Sequence, residues 1–349
     1  MIDIKEKMDA NKVSFLTNGV NTPSSRFRVH QFLDLIKDEF RYDIHPGGFV
    51  SGVCCSSLRN VIHAANRARQ IVFDGTNGSR FFLQRMLLYR NNIFLEKLLF
   101  SNAKNGVIVD FDDAIFLSNP RFSYTVGNAD MVVVGNTFLA DWASTYSSNI
   151  KIIPTCVDST RYHVNRSYSA HDSGNITVGW TGTKDNLIYL EHIAKSLYIL
   201  QKKYKFRFLL ISDSDNTPRF LEHMSVEHVR WSKSKEIEQL GAIDIGIMPL
   251  PDNDWVRGKC GFKLLQYMAT GSIAIGSDIG VNNEIITDGV NGFLCASLDD
   301  WYSKIEWALS NYGSHNYMDI VNKARATVIN QYSVHAHIGS FVDAVVDLK

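Results

Sequence analysis

Four groups of side chains in this 349-residue sequence have the types and spacing to do chemistry. The first is Arg257-Gly258-Lys259-Cys260-Gly261-Phe262-Lys263, which leads into Leu264-Leu265-Gln266-Tyr267-Met268-Ala269-Thr270. On a helix turning ~100° per residue, Lys259, Lys263, Gln266 and Thr270 share one stripe, with Leu264, Leu265 and Met268 opposite. A glycine-flanked helix start with two lysines suits a phosphate, because free N–H groups, the helix dipole and both ammonium groups favour negative charge. A solvated helix face carries the same pattern. The second group, Asp110-Phe111-Asp112-Asp113, closes an apolar run, and strand alternation puts Asp110 and Asp112 on one face. Such carboxylates can hold a divalent cation, accept a proton as a general base, or cap a following helix. The third group is Ser25, Arg26 and Arg28, whose guanidinium groups would bind phosphate bidentately or pair with a nearby carboxylate. In the fourth, Gly280-Val281-Asn282-Asn283-Glu284, a glycine permits a tight turn and Glu284 can accept from a ligand hydroxyl.

The elements that must position these groups alternate between strand-like and helix-like, as in a parallel α/β architecture. In the first half, Val13–Thr17, Ile71–Asp74, Gly106–Asp110 and Met131–Val134 read as strands, and 29–38 and 81–100 as helices. In the second half the strands are 176–180, 206–212, 229–231, 243–249, 273–277 and 292–295. Helices are expected over 187–204, 262–269, 283–287, 299–311 and 317–332. The irregular stretch from Pro154 and the polar run 161–175 mark a boundary between domains 1–156 and 157–333. Two doubly wound domains facing across a cleft follow, since such sheets bind ligands at crevices.

Composition narrows the class. Lys plus Arg and Asp plus Glu are both 36, so no net charge draws the chain onto nucleic acid. Apolar residues are 45%, enough for a sizeable core. The balance hides a basic window: from Arg59 to Lys104 eight basic residues (Arg59, Arg67, Arg69, Arg80, Arg85, Arg90, Lys97 and Lys104) face only Asp74 and Glu96. The charged N-terminal segment lacks a signal-peptide core, and no run of ~18 apolar residues spans a membrane. Five cysteines (Cys54, Cys55, Cys156, Cys260 and Cys295) without Cys-x-x-Cys spacing argue against a disulfide framework or a zinc site. The expected location is cytoplasmic.

From Ile243 to Asn311 the sequence resembles the C-terminal half of retaining GT-B glycosyltransferases, glycosyltransferase family 4. The resemblance rests on Met248-Pro249-Leu250, the helix Leu264–Gly271, the strand Ile273–Ser277, the turn Gly280–Glu284 and the closing Asp288-Gly289-Val290-Asn291-Gly292-Phe293-Leu294. The first half is similar to a bacterial surface-polysaccharide branch of that family. It matches at Ser24-Ser25-Arg26-Phe27-Arg28-Val29, Gln84-Arg85, Val109–Ala114, Asn136–Ala140 and Ile153–Asp158.

The resemblance implies two Rossmann-like domains, an acceptor-binding one first and a nucleotide-sugar-binding one second. The segment Val334–Lys349 would return as a helix to the first domain. It implies transfer of a hexose from a UDP- or GDP-linked donor to a polysaccharide or lipid-linked saccharide, with retention and without metal or other cofactor. Gly182, Thr183, Trp231, Lys259, Lys263, Gln266, Gly280, Val281, Asn282 and Glu284 are then donor-binding. Asp112 and Asp113 are catalytic, and Ser25, Arg26, Arg28 and Arg85 bind the acceptor. Family members carry two glutamates eight positions apart near the helix; here those positions are Gly258 and Gln266, with Asp254 near enough to substitute for the first. The usual Arg and Lys after the first strand of the second domain are replaced by Gly179-Trp180-Thr181-Gly182-Thr183-Lys184, which leaves the diphosphate to Lys259 and Lys263.

Three other readings stand beside this one. A GT-A transferase would hold manganese on Asp110 and Asp112, a GT-B-shaped epimerase would act on the sugar nucleotide alone, and a non-catalytic subunit would only bind it. The stretch Phe81–Arg90, continued by Ile93–Phe100, combines apolar bulk with arginines. It suits docking to an anionic membrane carrying the acceptor, which would put the protein at the inner face of that membrane. An interior helix with a basic edge gives the same pattern.

Overall fold

A computed structural model describes residues 12–37, 41–47, 57–87, 93–162, 168 and 176–346. Cys54, Cys55 and Arg90 lie outside them, as does the side chain of Arg59. The chain forms two compact units: residues 1–156, 258–260 and 337–349 in one, and 157–257 and 261–336 in the other.

The first unit is built on β1 (Val13–Thr17), β2 (Tyr42–Pro46), β3 (Arg80–Gln84), β4 (Val107–Phe111), β5 (Met131–Val134) and β6 (Ile150–Ile152). These strands form one sheet in the order β2-β1-β3-β4-β5-β6, every pairing parallel. The four inner strands are buried along their whole length. Their near-continuous apolar runs are what a parallel sheet covered on both faces requires. From His337 onward the Val334–Val346 helix belongs to this unit. Its Phe341 stacks on Phe32 with ring centroids 4.5 Å apart and lies against Phe15 and Phe82. Arg80 donates to the carbonyls of Val345 and Val346, so a cation closes the negative end of that helix.

Two segments differ from the sequence expectation. Ile71–Asp74 is not a strand but the end of a helix, Ser57–Thr76. Arg67, Ile71 and Asp74 turn inward at spacings of four and three, while Val72 and Phe73 face solvent. The expected helix over 81–100 is β3 followed, beyond residues 88–92, by the helix Phe94–Asn102. Phe81-Phe82-Leu83 is buried on both faces, which a strand in mid-sheet satisfies. Strands β2 and β6 gave no apolar run because they are the sheet's edges and are only partly covered.

The second unit contains β7 (Thr177–Gly182), β8 (Arg207–Ser212), β9 (Val226–Arg230), β10 (Ile245–Met248), β11 (Ile273–Ser277) and β12 (Phe293–Cys295). Its sheet, also wholly parallel, runs β12-β11-β10-β7-β8-β9. The connection expected as a helix over 187–204 is a 3-10 segment, Lys184–Ile193, that turns into the helix Ala194–Tyr204. The Leu298–Ser310 helix begins with a reciprocal Ser297–Asp300 capping box. Gly246 in β10 is necessary: a Cβ there would lie 2.2 Å from the Tyr267 ring, which packs flat on the strand. Two parallel six-stranded sheets with helices are the α/β, GT-B architecture of two Rossmann-like domains. The second sheet has no place in a GT-A fold, so that alternative is set aside.

Candidate active site

Each sheet reverses its strand order at one point, between β1 and β3 in the first unit and between β7 and β10 in the second. Loops at the carboxyl ends of such strands diverge and leave room for ligands. Polar side chains gather at both places.

In the first unit, Ser25 lies in a helical stretch opened by Pro23–Ser25 and continued by the π turn Arg26–His30. Its hydroxyl donates to Gln84 Oε1 at 2.6 Å, and the same oxygen accepts from Asn18 N at 3.3 Å. Gln84 therefore ties the end of β3 to the loop after β1. Arg28 is 3% exposed and grips Asp110, with Nε 3.1 Å and Nη2 2.5 Å from Oδ1. Its Nη1 donates to the Ile153 carbonyl. Burial opposes the charge on Arg28, but Asp110 outweighs it and raises the arginine's pKa. Burial also pushes the Asp110 carboxyl up, with Arg28 pulling it back. Since arginine keeps its proton, the pair is ionic. The structure thus spends Arg28 on Asp110, and the expected acceptor contact at Arg28 is corrected to a structural one. Arg26 is also buried, its guanidinium 4.6 Å over the Phe27 ring.

Arg85 follows β3 in a left-handed backbone conformation, φ 60°, rare for a residue with a side chain. Its Nε and Nη2 lie 2.8 and 2.6 Å from Asp112 Oδ1, and Nη2 is 2.5 Å from Asp113 Oδ2. Asp112 and Asp113 do not cap the next helix: the Ile115–Leu117 turn has Ala114 at its N-cap and no side-chain cap. Burial raises the Asp113 pKa; Arg85 opposes this, Asp112 adds to it, and Lys259 opposes it. Asp110 is buried under Arg28 and Asp112 is held by Arg85, so each carboxylate of the proposed metal pair is already matched by a guanidinium.

The segment Gly258–Cys260 also belongs to the first unit. Asn136 Nδ2 donates to the Lys259 carbonyl at 2.9 Å, and Cys260 Sγ donates to the Asp112 carbonyl at 3.3 Å. Lys259, expected on the donor helix, therefore stands with the acidic pair instead. The helix itself starts only at Phe262, after Gly261 at φ 62°. Gly258 has no room for the glutamate that the family resemblance implies at this position: a Cβ there would lie 2.6 Å from the Ala114 Cβ.

In the second unit, Lys263 lies 4.6 Å over the Trp180 ring, beside Gly182. A Cβ on Gly182 would come within 2.7 Å of the Lys263 Nζ and 2.5 Å of the Trp180 ring, so only glycine leaves this approach open. Thr183 precedes the 3-10 segment, and its hydroxyl accepts from Asn186 at 2.9 Å. Tyr267 reaches through the sheet to accept the Thr181 N–H at 3.0 Å, fixing the end of β7. Gly280 turns at φ 53° before the Asn282–Ile285 turn of helix, with Val281 and Asn282 buried and Glu284 exposed. Asn282 donates to the Ser277 carbonyl. Trp231 follows β9, and its indole N–H lies 3.3 Å from Glu236.

The expected stripe of Lys263, Gln266 and Thr270 is broken. Gln266 is 5% exposed and donates to the Tyr162 hydroxyl at 3.1 Å, and Thr270 is buried. The His315–Gln331 helix and Tyr162 cover the helix face that periodicity left open, so Gln266 is corrected from a ligand contact to a core hydrogen bond. Asp254 is exposed and pairs with Arg257 at 3.8 Å. Reading by sequence missed Gln84 and Tyr267 as organisers. Their signals were a glutamine closing the buried Phe81–Leu83 run and the Gly246 that makes way for a ring.

Residues 176–311 match the family model described as Glycosyl transferases group 1. No curated protein matches the chain. Among solved structures, the fold is similar to a glycosyltransferase from Rickettsia africae ESF-5 (TM-score 0.71, 14% identity, 97% of this chain and 99% of that one). It is also similar to Anabaena HepE in complex with UDP and glucose (0.67, 12%, 96% and 99%). A third is sucrose-phosphate synthase from Thermosynechococcus elongatus (0.65, 10%, 95% and 97%). With a group 1 glycosyltransferase domain in its second unit and GT-B architecture over nearly all its length, the protein is a glycosyltransferase.

Proposed function

We propose that the enzyme moves a hexose from a nucleotide sugar to a polysaccharide or lipid-linked saccharide acceptor, with retention and without a metal. The observation that carries this reading is the Lys263 ammonium held over Trp180 beside Gly182, at the point where the second sheet reverses its strand order. A cation there can neutralise a leaving diphosphate, a task that otherwise falls to a metal ion. Gly182, Thr183 and the Gly280–Glu284 turn complete the donor site, with Trp231 beside the base. Asp113, assisted by Asp112, is assigned the proton of the acceptor hydroxyl or the positive charge of the transition state.

A thermal-shift panel of UDP, GDP, ADP and their sugar conjugates, each with EDTA and with manganese, tests the donor site. A nucleotide at 100 times its Kd adds about 2.7 kcal/mol of stability. One nucleotide is expected to stabilise the protein equally in EDTA. Losing a charge-assisted hydrogen bond costs ~1.5–3 kcal/mol, so Lys263→Ala should weaken that nucleotide roughly 10- to 150-fold. Stabilisation only with manganese, or unchanged affinity in the variant, would overturn this reading.

The same acceptor class brings the first unit to an anionic membrane, but on a different surface from the Phe81–Arg90 stretch. Phe81–Leu83 lie in the sheet. The packed helices Ser57–Thr76 and Phe94–Asn102 instead expose Val61, Ile62, Val72, Phe73 and Phe94, the last 64% exposed. Arg69, Lys97 and Lys104 are exposed on the same elements and the turn that follows, whereas Asp74 and Glu96 are buried. Apolar bulk with cations, and no exposed acid among the described residues of these two helices, fits an anionic lipid surface. Co-sedimentation with phosphatidylglycerol vesicles at low salt is expected, and Phe73→Ser with Phe94→Ser should release the protein. Wild-type protein that ignores such vesicles removes the membrane from the proposal.

A further inference from the structure

A cavity of about 810 Å³ lies at the end of the second sheet opposite the donor cluster. Thr177 at the start of β7, Arg207 at the start of β8 and Asp244 just before β10 line it. The end of the Ala194–Tyr204 helix contributes Lys202 and Lys205, and the turn before β9 contributes His223. β7 runs from Thr177 to Gly182, which at ~3.3 Å per residue separates the two ends by about 16 Å. No small ligand touches both.

Four basic side chains line this space. The one acid among the lining residues, Asp244, is already occupied, because its oxygens accept from Thr177 N at 2.8 Å and from the Tyr312 hydroxyl at 3.1 Å. Arg207 donates to Thr177 Oγ1 at 3.1 Å and lies 3.3 Å from Glu227. His223 lies 3.7 Å from Glu222, and Lys202 sits 5.4 Å over the Tyr198 ring. Among the described residues, Lys205 makes no ion pair.

Lys205 is also strained. At φ 54° and ψ 34° it is left-handed, in the position after a helix where glycine is favoured. The helix end has no need of this cation, since Lys202 and Lys203 already occupy its last turn. A lysine at a position where glycine would be easier, lining a cavity with three other basic residues, is the observation that points to a ligand. The volume exceeds what one phosphate fills, and cations on separate elements suit linked phosphates. We propose that this cavity binds a diphosphate-class oxyanion, held by Lys202, Lys205, Arg207 and His223, at a site distinct from the donor cluster.

Inorganic pyrophosphate titrated calorimetrically into the Lys263→Ala protein tests this, because that variant weakens the donor cluster. Saturable binding at one site that weakens with salt is expected. Adding Lys205→Gly should weaken it at least tenfold while the melting temperature stays the same or rises, because glycine relaxes the backbone. Should that variant fold poorly, the exposed Lys202→Gln carries the same expectation. UDP and a short isoprenyl diphosphate, titrated alongside, separate a nucleotide source from a lipid one by which binds more tightly. Absence of pyrophosphate binding in the Lys263→Ala protein, or affinity unchanged by Lys205→Gly and Lys202→Gln, would overturn the proposal. Neither result bears on the donor site, which the nucleotide panel tests separately.

Discussion

Asp113→Asn is expected to lower turnover by about 10²–10⁴-fold, the range over which a positioned acid or base contributes. Asp113 accepts from Arg85 at 2.5 Å, and Lys259 stands nearby on the segment that joins this unit. Burial lifts its pKa above the ordinary aspartate value, which makes the carboxylate a better base than a solvated one. The substitution keeps the shape and removes the charge, so donor affinity should hold while kcat falls. In the wild type, activity is expected to need the ionised form and to fall as pH drops through the raised pKa. In Asp113→Asn that acidic limb should disappear from the residual rate. A kcat within threefold of wild type, or an unchanged acidic limb, would remove Asp113 from the mechanism. Arg85 positions both carboxylates, and Arg85→Lys can restore charge but not the two-pronged grip on Asp112.

The second large effect is on stability. Arg28→Ala should cost ~3–5 kcal/mol, because it leaves Asp110, 1% exposed, as an uncompensated charge in the middle of the first sheet. Denaturant unfolding would read this as a lower midpoint at unchanged slope. The sign with pH is defined. Without Arg28 the folded carboxyl has a pKa well above its unfolded value of about 3.9. The deficit is therefore small in acid and grows as pH rises past that value. Replacing both partners, Arg28→Met with Asp110→Leu, should recover much of the loss, since a buried pair exchanged for apolar groups is often neutral. A single variant as stable as wild type would mean that Asp110 is not ionised in the fold.

The nature of these contacts explains how much of the protein was legible beforehand. The parallel α/β class was readable because the doubly covered strands β1, β4, β5, β8, β10 and β11 are near-continuous apolar runs, and such runs are local. Where a strand sat at a sheet edge, as β2 and β6 do, the signal vanished. Where a helix carried β-branched residues to solvent, as at Val72, the signal misled. In the candidate site, Lys263 and the Gly182 and Gly280 turns were visible because helix starts and tight turns are set by neighbouring residues.

The rest depended on partners far away in the chain. Arg28 meets Asp110 across 82 residues, Gln266 meets Tyr162 across 104, and Lys259 meets Asn136 across 123. Periodicity assigns a face to Gln266 but cannot say that another helix and a tyrosine will cover it. Spacing brings Lys259 near Lys263 in sequence, yet three residues of that loop join the other unit. The amino-acid sequence by itself determined the strand and helix order, the two-sheet class and the residue types available for charge and hydrogen bonding. Only the tertiary structure decided which of those groups are consumed in the interior and which remain at the surface, because long-range packing decides which polar groups are desolvated and with what they pair.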